Sequence, residues 1–219
     1  MIYDWENIDM VLLDMDGTLL DLFFDNYFWQ NYLPLRWGEL NGLDHENAKR
    51  ELMPRFKNKE GTLSWYCLDY WASELNIDIL KLKDDIKELI KPRPQAVNFL
   101  KSLSQMDKKC IMVTNAHQDL ISMKLENINI GDYFDQIICA HDLGVPKEHI
   151  EFWGMLKEKI SFKEEKTLLI DDNLDVLRAA KSFGIKNLLS IAQPDSHLPI
   201  RDTGEFAAIH NFADVIRII

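Results

Sequence analysis

Val11-Leu-Leu-Asp-Met-Asp-Gly-Thr18 is the stretch that decides both the fold and the chemistry of this 219-residue chain. The apolar run that opens it, residues 10–13, is typical of a short buried strand. The run ends in two carboxylates one residue apart, and side chains two apart on an extended backbone point the same way. We therefore expect Asp14 and Asp16 on one face, where their repulsion favours an acid/base pair or a shared cation.

Length and composition limit the class of protein. A hydrophobic content of 47% in 219 residues is enough to bury a sizeable core in one or two domains. The net charge of −11 argues against a nucleic-acid partner, because a phosphate backbone requires a basic surface. Small anionic substrates remain compatible with it, since a local group of cations can outweigh a distant acidic surface.

The sequence predicts neither a signal peptide nor a membrane span. Its first residues include Asp4, Glu6 and Asp9 without a basic region, unlike a signal peptide. No apolar stretch approaches the length of a membrane span, so we expect a cytoplasmic protein with no membrane partner. Three widely spaced cysteines without a CxxC pair are expected to be reduced and structural: Cys67, Cys110 and Cys139.

Two patterns follow the first strand. Residues from about 20 to 90 lack strand-like alternation and predict a small bundle of helices inserted directly after that strand. The predicted helices are one capped by Asp25 that runs to Tyr32 and is ended by Pro34, one capped by Asp44 that runs to Arg55, one from Leu63 to Leu75, and one capped by Asp78 that ends at Pro92.

From Pro94 onward, short apolar runs alternate with helices, which is typical of βαβ units in a parallel sheet covered on both faces. The predicted strands are Cys110–Val113, Gln136–Ala140, Thr167–Ile170 and Asn187–Ile191. The predicted helices are Pro94–Gln105, Gln118–Glu126, Pro146–Ile160, one after Asn173 that ends at Phe183 with Gly184 as its cap, and a final one from Ala207 to Ile219.

Polar residues stand at the ends of the apolar runs. Right-handed crossovers gather the carboxyl ends of parallel strands at one edge, so these residues should converge: Asp14, Asp16, Thr114, Asp171 and Asp172. Four carboxylates with few nearby cations require a metal. An all-oxygen ligand set favours Mg²⁺, which proteins usually bind together with a substrate phosphate.

A phosphoryl group at this edge would need donors and a positive charge. Thr114 and the backbone N–H of Asn115 can donate hydrogen bonds to its oxygens, and Lys147 can supply a point charge. Each residue alone has an ordinary structural explanation, a strand-end cap or a surface lysine. Their placement at the predicted edge favours phosphate binding.

Asp14-Met-Asp16-Gly-Thr18, Thr114-Asn115, Lys147 and Asp171-Asp172 resemble, in order and setting, the four motifs of the haloacid dehalogenase (HAD)-like phosphohydrolases. The resemblance covers the whole chain. It implies a Rossmann-like three-layer α/β core at residues 1–19 and 91–219, and a helical cap of the C1 type at residues 20–90. It also implies a Mg²⁺-dependent phosphatase acting on a small phosphomonoester.

The resemblance further implies a role for each acidic residue. Asp14 would be the nucleophile that forms an aspartyl-phosphate, and Asp16 would protonate the leaving oxygen and later deprotonate water. Mg²⁺ would be held by Asp14, the main-chain carbonyl of Asp16 and Asp172, with Asp171 contacting a metal-bound water. Asp175 does not fit the spacing of a further motif residue, so we interpret it as a helix N-terminal charge.

The inserted helices are rich in aromatic residues, most of which we expect in a core. The segments 21–30 and 62–71, together with 114–117, resemble the bacterial GMP/IMP (purine 5′-) nucleotidases, whose planar bases an aromatic wall could stack. Candidate substrate-binding residues are Asp25, Asn26, Tyr27, Trp65 and Tyr66. His117 and His141 are also expected near the edge, as loop histidines.

Three alternatives stay open at this point. A phosphatase or phosphomutase for a small sugar phosphate or phosphoglycolate would use the same motifs. A receiver-type phospho-acceptor module also places aspartates, a threonine and a lysine at a sheet edge, but it has no reason to insert a helical cap. A catalytically silent scaffold would keep costly unpaired carboxylates without using them.

Overall fold

The computed structural model describes residues 5–216 and has, within them, one parallel sheet in the order β3-β2-β1-β4-β5-β6. The strands are β1 (Met10–Leu13), β2 (Lys109–Thr114), β3 (Gln136–Cys139), β4 (Thr167–Ile170), β5 (Asn187–Ile191) and β6 (Ala208–Ile209). The predicted α/β class with a parallel sheet is confirmed, and the first five strands fall where the apolar runs predict them.

Helices cover the sheet and fill the insert between β1 and β2. In chain order they are α1 (Phe23–Tyr27), α2 (Leu33–Asn41), α3 (His45–Lys57), α4 (Leu63–Tyr66), α5 (Leu68–Leu75), α6 (Ile79–Asp84), α7 (Ala96–Gln105), α8 (Gln118–Ile128), α9 (Ala140–Leu143), α10 (Ile150–Ile160), α11 (Leu174–Phe183) and α12 (Ala213–Ile216). None of the helices in this part of the chain is long and apolar enough to cross a membrane.

Both faces of the sheet are buried, which explains why β1 is apolar throughout rather than alternating. Val11 and Leu13 pack into one hydrophobic cluster with α7, α8 and the inserted helices. Met10 and Leu12 point to the opposite face and pack into a second cluster with α10 and α11. Because the insert and one sheet face share a cluster, the division at residues 20 and 90 into core and cap domains stays a prediction.

The position of β1 in the sheet brings three chain segments to one edge. Leu13 lies opposite Met112 of β2 and Ile170 of β4, so the chain leaves all three strands at nearly the same level. The backbone N–H of Asp14 donates to the carbonyl of Ile170 at 3.0 Å, which extends the pairing beyond the strand. The residues that follow β1, β2 and β4 are therefore neighbours.

The insert begins differently from the prediction. Asp25 is not an N-cap but lies inside α1, and Asp21 accepts the N–H of Phe23 instead. Pro34 does not end the helix, because a π-helical turn over Phe28–Tyr32 carries the chain into α2, where the proline occupies the first turn. A proline is tolerated there because the amide it lacks is not needed.

Other helix boundaries were partly predicted. Asp44 and Asp78 do cap α3 and α6, accepting the N–H groups of Asn47 and Lys81. The predicted helix from Leu63 to Leu75 is wrong in one respect, because extended backbone at Cys67 divides it into α4 and α5. The Cys67 sulfur accepts the N–H of Tyr70 at 3.4 Å and so caps α5.

Two helices start later than proline placement suggests. Gln95 has a φ of 64°, so α7 begins at Ala96 rather than at Pro94. α10 begins at Ile150, which leaves Lys147 in the loop before the helix. The loop position matters, since it lets the lysine side chain reach back to the sheet edge.

The predicted helix from Ala207 to Ile219 is wrong over its first part. Residues 208–209 form β6, because the N–H groups of Ser190 and Ala192 donate to the carbonyls of Ala207 and Ile209. A short helix, α12, follows, and residues 217–219 of that prediction lie outside the described residues. The three cysteines are free, with Cys67 half-buried and the other two buried.

Candidate active site

A cavity of about 560 Å³ opens at the carboxyl edge of the sheet, under the inserted helices. Its lining combines the polar ends of the strands with side chains of the insert. All the core residues that the sequence nominated line it: Asp14, Asp16, Thr114, Asn115, Lys147, Asp171 and Asp172. The structure thus brings together residues separated by more than 150 positions in the chain.

Three of these carboxylates face one point. One oxygen from each of Asp14, Asp171 and Asp172 lies within 4.8 Å of the others. Oδ2 of Asp14 is buried and has no hydrogen-bond partner among the described residues. An orphaned carboxylate oxygen beside two other carboxylates is the arrangement that a hard divalent cation satisfies.

The turn after β1 is shaped to let Asp172 approach. Gly17 has a φ of +82°, and a Cβ at this position would lie 2.6 Å from the carboxyl carbon of Asp172. Thr18 accepts the backbone N–H of Asp172 at 3.0 Å and fixes the loop after β4 against this turn. Only glycine fits here, for reasons of both backbone conformation and space.

Lys147 lies between two of the carboxylates. Its ammonium group donates to Oδ1 of Asp14 at 2.6 Å, to Oδ2 of Asp171 at 2.7 Å and to the carbonyl of Val113 at 3.0 Å. The backbone N–H of Lys147 donates to the side chain of Asn115, which orients the loop. Burial alone would lower the pKa of Lys147, but Asp14 and Asp171 outweigh it and raise the pKa.

The carboxylates remain short of positive charge. Burial raises the pKa of Asp14 to about 6 against the opposing pull of Lys147. Burial, with Asp14 and Asp171 adding to it, raises the pKa of Asp172 well above its usual range. Arg201 is 3.9 Å from the Asp172 carboxylate and donates to its carbonyl, yet it does not reverse the shift. A divalent cation beside Asp172 would supply the missing positive charge and lower this pKa.

The donor set therefore fits Mg²⁺. Asp14 and Asp172 offer free carboxylate oxygens, and the carbonyl of Asp16 belongs to the same turn. Asp171 accepts from Lys147 and from the N–H of Asn173, so it is placed as an outer partner of a cation rather than as a principal ligand.

Asp16 lies at one end of a second charged group that the sequence did not reveal. Lys124 of α8 donates to Oδ1 of Asp16 and to Oδ2 of Asp25, both at 2.6 Å, and Lys83 of α6 donates to Oδ1 of Asp25 at 2.7 Å. Burial raises the pKa of Asp16 to about 6 despite Lys124. Burial pushes the pKa of Asp25 in the same direction, but Lys124 and Lys83 prevail and hold it at about 2.

The expectation of few local cations is therefore wrong. Lys83, Lys124 and Arg201 reach the site from elements far from the motifs. Lys124 did leave a signal, because it occupies the buried face of α8 beside Leu120 and Ile121. A lysine at an apolar helix position needs a buried acidic partner.

Glu148 connects the inserted helices to the opposite wall of the cavity. Its carboxylate accepts the Tyr66 hydroxyl at 2.5 Å, the Asn115 amide at 2.8 Å and the Asn173 amide at 3.2 Å. Burial and the neighbouring Glu148 carboxylate raise the pKa of Tyr66 well above its usual range, so the phenol stays protonated and donates. Sequence analysis missed this residue, although it directly follows Lys147.

The aromatic residues of the insert divide into core and wall. Phe24, Phe28 and Trp71 are buried, as expected for most of them. Trp29 and Trp65 line the cavity with ring centroids 5.2 Å apart.

Of the nominated substrate-binding residues, Asp25, Asn26, Trp65 and Tyr66 line the cavity. Tyr27 packs on Phe23 and is not among the described residues that form the lining. His117 and His141 stack edge to face with ring centroids 5.4 Å apart, and neither belongs to the described lining. Asp175 lies in the first turn of α11, as interpreted, and pairs with Arg178.

Comparison with known proteins agrees with this geometry. Residues 8–184 match the family described as haloacid dehalogenase-like hydrolase. The chain is 37% identical over 212 residues to the GMP/IMP nucleotidase YrfG of Escherichia coli, covering 97% of this chain and 96% of that protein. It is 26% identical over 173 residues to the pyrimidine 5′-nucleotidase YjjG of Escherichia coli, covering 74% of this chain and 76% of that protein.

A solved structure shows the same fold. The HAD phosphatase from Thermococcus onnurineus superposes with a TM-score of 0.78 at 18% sequence identity. The superposition covers 96% of this chain and 97% of that one. The layered core and the insert after the first strand are therefore shared across most of both chains.

Proposed function

Because the chain belongs to the haloacid dehalogenase-like hydrolases, as a phosphatase of that family, we propose that it is a Mg²⁺-dependent purine 5′-mononucleotidase. It would release phosphate from GMP or IMP through an aspartyl-phosphate on Asp14. The carrying observation is the Asp14 carboxylate: Lys147 holds one oxygen, and the other is buried beside Asp172 with no hydrogen-bond partner among residues 5–216.

Each step can be assigned to a residue. An oxygen of Asp14 forms a bond to phosphorus while the bond to the leaving oxygen breaks, and Asp16 delivers a proton to that oxygen. Asp16 then takes a proton from the water that attacks the aspartyl-phosphate and releases inorganic phosphate. A bound Mg²⁺ would supply positive charge opposite the transferring group, held by Asp14, the carbonyl of Asp16 and Asp172.

Phosphate binding is supported by hydrogen-bond donors and a positive charge in the cavity lining. Thr114 and the N–H of Asn115 stand at the end of β2, and the Lys147 ammonium lies beside the nucleophile. Charge that develops on the phosphoryl oxygens would meet groups already fixed by the fold. Lys147 in particular is locked by three hydrogen bonds before any substrate arrives.

A purine nucleoside as leaving group is supported by the insert and by the relative. Trp29 and Trp65 put two large rings on the cavity wall, and stacking on an aromatic ring contributes about 1–3 kcal/mol per base. The relative at 37% identity is named for GMP and IMP and aligns over 97% of this chain, including the inserted helices.

The test is phosphate release measured across a panel of esters, with Mg²⁺ and with EDTA. The panel is IMP, GMP, AMP, UMP, ribose 5-phosphate and phosphoglycolate. We expect turnover only with Mg²⁺ and the highest kcat/KM for IMP or GMP. A small sugar phosphate that is hydrolysed as well as the nucleotides would overturn the purine assignment and favour the sugar-phosphate alternative.

The nucleophile is tested in the same assay by Asp14→Asn. We expect a loss of at least about a thousandfold in kcat, because an amide cannot form the intermediate. The matched control is Asp132→Asn, since Asp132 is exposed in the turn before β3 and touches nothing in the cavity. Near-normal turnover by the Asp14 variant would remove Asp14 from the role of nucleophile.

A further inference from the structure

Four charges of alternating sign run from the catalytic turn into the inserted helices. In order they are Asp16, Lys124, Asp25 and Lys83, and every link is 2.6 or 2.7 Å long. Asp16 follows β1, Lys124 comes from α8 on the core side, and Asp25 and Lys83 come from α1 and α6 of the insert. The chain of contacts therefore joins three separate parts of the fold at one wall of the cavity.

The two lysines are as deeply buried as any apolar residue. The Lys124 side chain is 1% exposed, and its ammonium lies 5.1 Å from the centroid of the Phe24 ring. Lys83 is equally buried, with its ammonium over the rings of Phe24 and Phe28. Such placement holds each ammonium in one position, because apolar neighbours leave no alternative partner.

Stability alone does not account for this arrangement. Removing charges from water costs several kcal/mol per ion, and well-packed apolar side chains of similar size are often no less stable. However, the first member of this series of charges is Asp16, and the proposed reaction requires its carboxylate to point toward the leaving oxygen. The Asp16 side chain is 21% exposed and lies in a turn. Among the described residues, Lys124 is the one hydrogen-bond partner that fixes its carboxylate.

We propose that Lys124, which also contacts Asp25 of the inserted helices, is a positioning residue that holds the Asp16 carboxylate toward the leaving oxygen. The inference rests on the proposed function, since it concerns the proton delivered in that reaction. General acid catalysis requires the acid within hydrogen-bond reach of the leaving atom, and contributes about 10²–10⁴-fold in rate. A freely rotating carboxylate would lose part of that factor.

A leaving-group series separates positioning from a general loss of structure. p-Nitrophenolate departs without a proton, phenolate benefits from one, and a nucleoside 5′-alkoxide depends on one. The esters p-nitrophenyl phosphate and phenyl phosphate have nearly the same shape, so binding differs little between them. Because kcat/KM covers only the steps through departure of the leaving group, it isolates the contribution of the acid.

Lys124→Met keeps the length of the side chain and removes its donors. We expect kcat/KM to fall about 100-fold for IMP, by an intermediate factor for phenyl phosphate, and less than about threefold for p-nitrophenyl phosphate. Lys124→Arg, which can donate to both Asp16 and Asp25, should bring the ratio between substrates back to within about threefold of the wild-type ratio. Should the methionine variant fail to fold, Lys124→Gln is measured instead; its shorter, uncharged amide cannot reproduce both contacts, so the loss should again be larger for IMP than for p-nitrophenyl phosphate.

Lys83→Met is the matched control, since it removes a buried lysine from the same group but leaves the contact between Lys124 and Asp16. The ratio of its kcat/KM values for phenyl phosphate and p-nitrophenyl phosphate should stay at the wild-type value. Equal losses for all esters in a folded Lys124 variant would overturn the inference and leave the proposed function standing. If the wild-type protein releases phosphate from no ester, both the inference and the proposed function are overturned. If it hydrolyses purine and non-purine esters equally well, only the assignment of a purine substrate is overturned.

Discussion

Replacing Gly17 by alanine would test whether the turn after β1 and Asp172 form one metal site. The Cβ would lie 2.6 Å from the carboxyl carbon of Asp172 and 2.7 Å from its Oδ2, where ordinary contacts begin at 3.4 Å. The carboxylate would have to move by nearly an ångström. In addition, the left-handed φ of +82° costs a non-glycine residue about 1–2 kcal/mol.

Two separate losses follow from this geometry. The backbone strain should lower the melting temperature by about 2–8 °C, since each kcal/mol shifts a chain of this size by about 2–4 °C. The displaced carboxylate should raise the Mg²⁺ concentration for half-maximal phosphatase activity by about 10–100-fold, as for other disturbed metal surroundings. Thermal denaturation in EDTA measures the first loss, and a Mg²⁺ titration of activity measures the second.

Gly42→Ala is the matched control for this variant. Gly42 also has a left-handed φ, +68°, but a Cβ there would meet nothing within 4 Å. It should share the loss in melting temperature and keep the wild-type requirement for Mg²⁺. The same Mg²⁺ requirement in both variants would refute the placement of Asp172 as a ligand next to this turn.

Two further predictions concern the charges around Asp14. Lys147→Ala should reduce kcat by about 10³-fold or more, measured as phosphate release at saturating Mg²⁺, because it removes the one ammonium among the described residues that contacts Asp14, the proposed nucleophile. A loss below about tenfold would contradict this. In EDTA, Asp14→Asn should be more stable than the wild type by about 2–3 kcal/mol at pH 7.5, because burial raises the pKa of Asp14 from 3.8 to about 6 and the ionised form destabilises the fold. This advantage in the free energy of unfolding should shrink as the pH falls from about 6 toward 3.8, and Mg²⁺ should reduce it. Denaturant unfolding at pH 7.5 and near pH 3.8 measures it.

The strands and the motif residues were predictable because both are local signals. A run such as Thr167–Ile170 is apolar throughout, since a parallel strand is buried on both faces. The polar residues that end such runs then converge through topology alone, without any knowledge of side-chain contacts. Asp14 and Asp171, which Lys147 joins in the structure, were brought to one edge in this way.

The partners of the remaining cations were not predictable, because each contact depends on tertiary placement, although the position of Lys124 on the apolar face of α8 indicates a buried acidic partner. Lys124 meets Asp16 across 108 positions and Arg201 meets the carbonyl of Asp172 across 29, from elements with no motif of their own. Helix breaks were missed for a similar reason. The extended backbone at Cys67 lets α4 turn Trp65 and Tyr66 to the cavity while α5 packs in the core, which propensity does not reveal.

The formal charges indicate why metal and phosphate belong to the same site. Asp14, Asp171, Asp172 and Glu148 face Lys147 and Arg201, so four negative charges meet two positive ones. The group of Asp16, Asp25 and the two buried lysines is balanced and changes nothing.

A phosphate dianion that approached this site alone would meet two excess negative charges, in surroundings where burial makes charge costly. A divalent cation cancels that excess, and a bound dianion adds negative charge that favours the cation, so each ligand improves the field for the other. Binding of either should therefore strengthen binding of the other by the same factor. Burial, with the neighbouring carboxylates adding to it, raises the pKa values of Asp14 and Asp172, so these side chains hold protons more readily when no cation is bound.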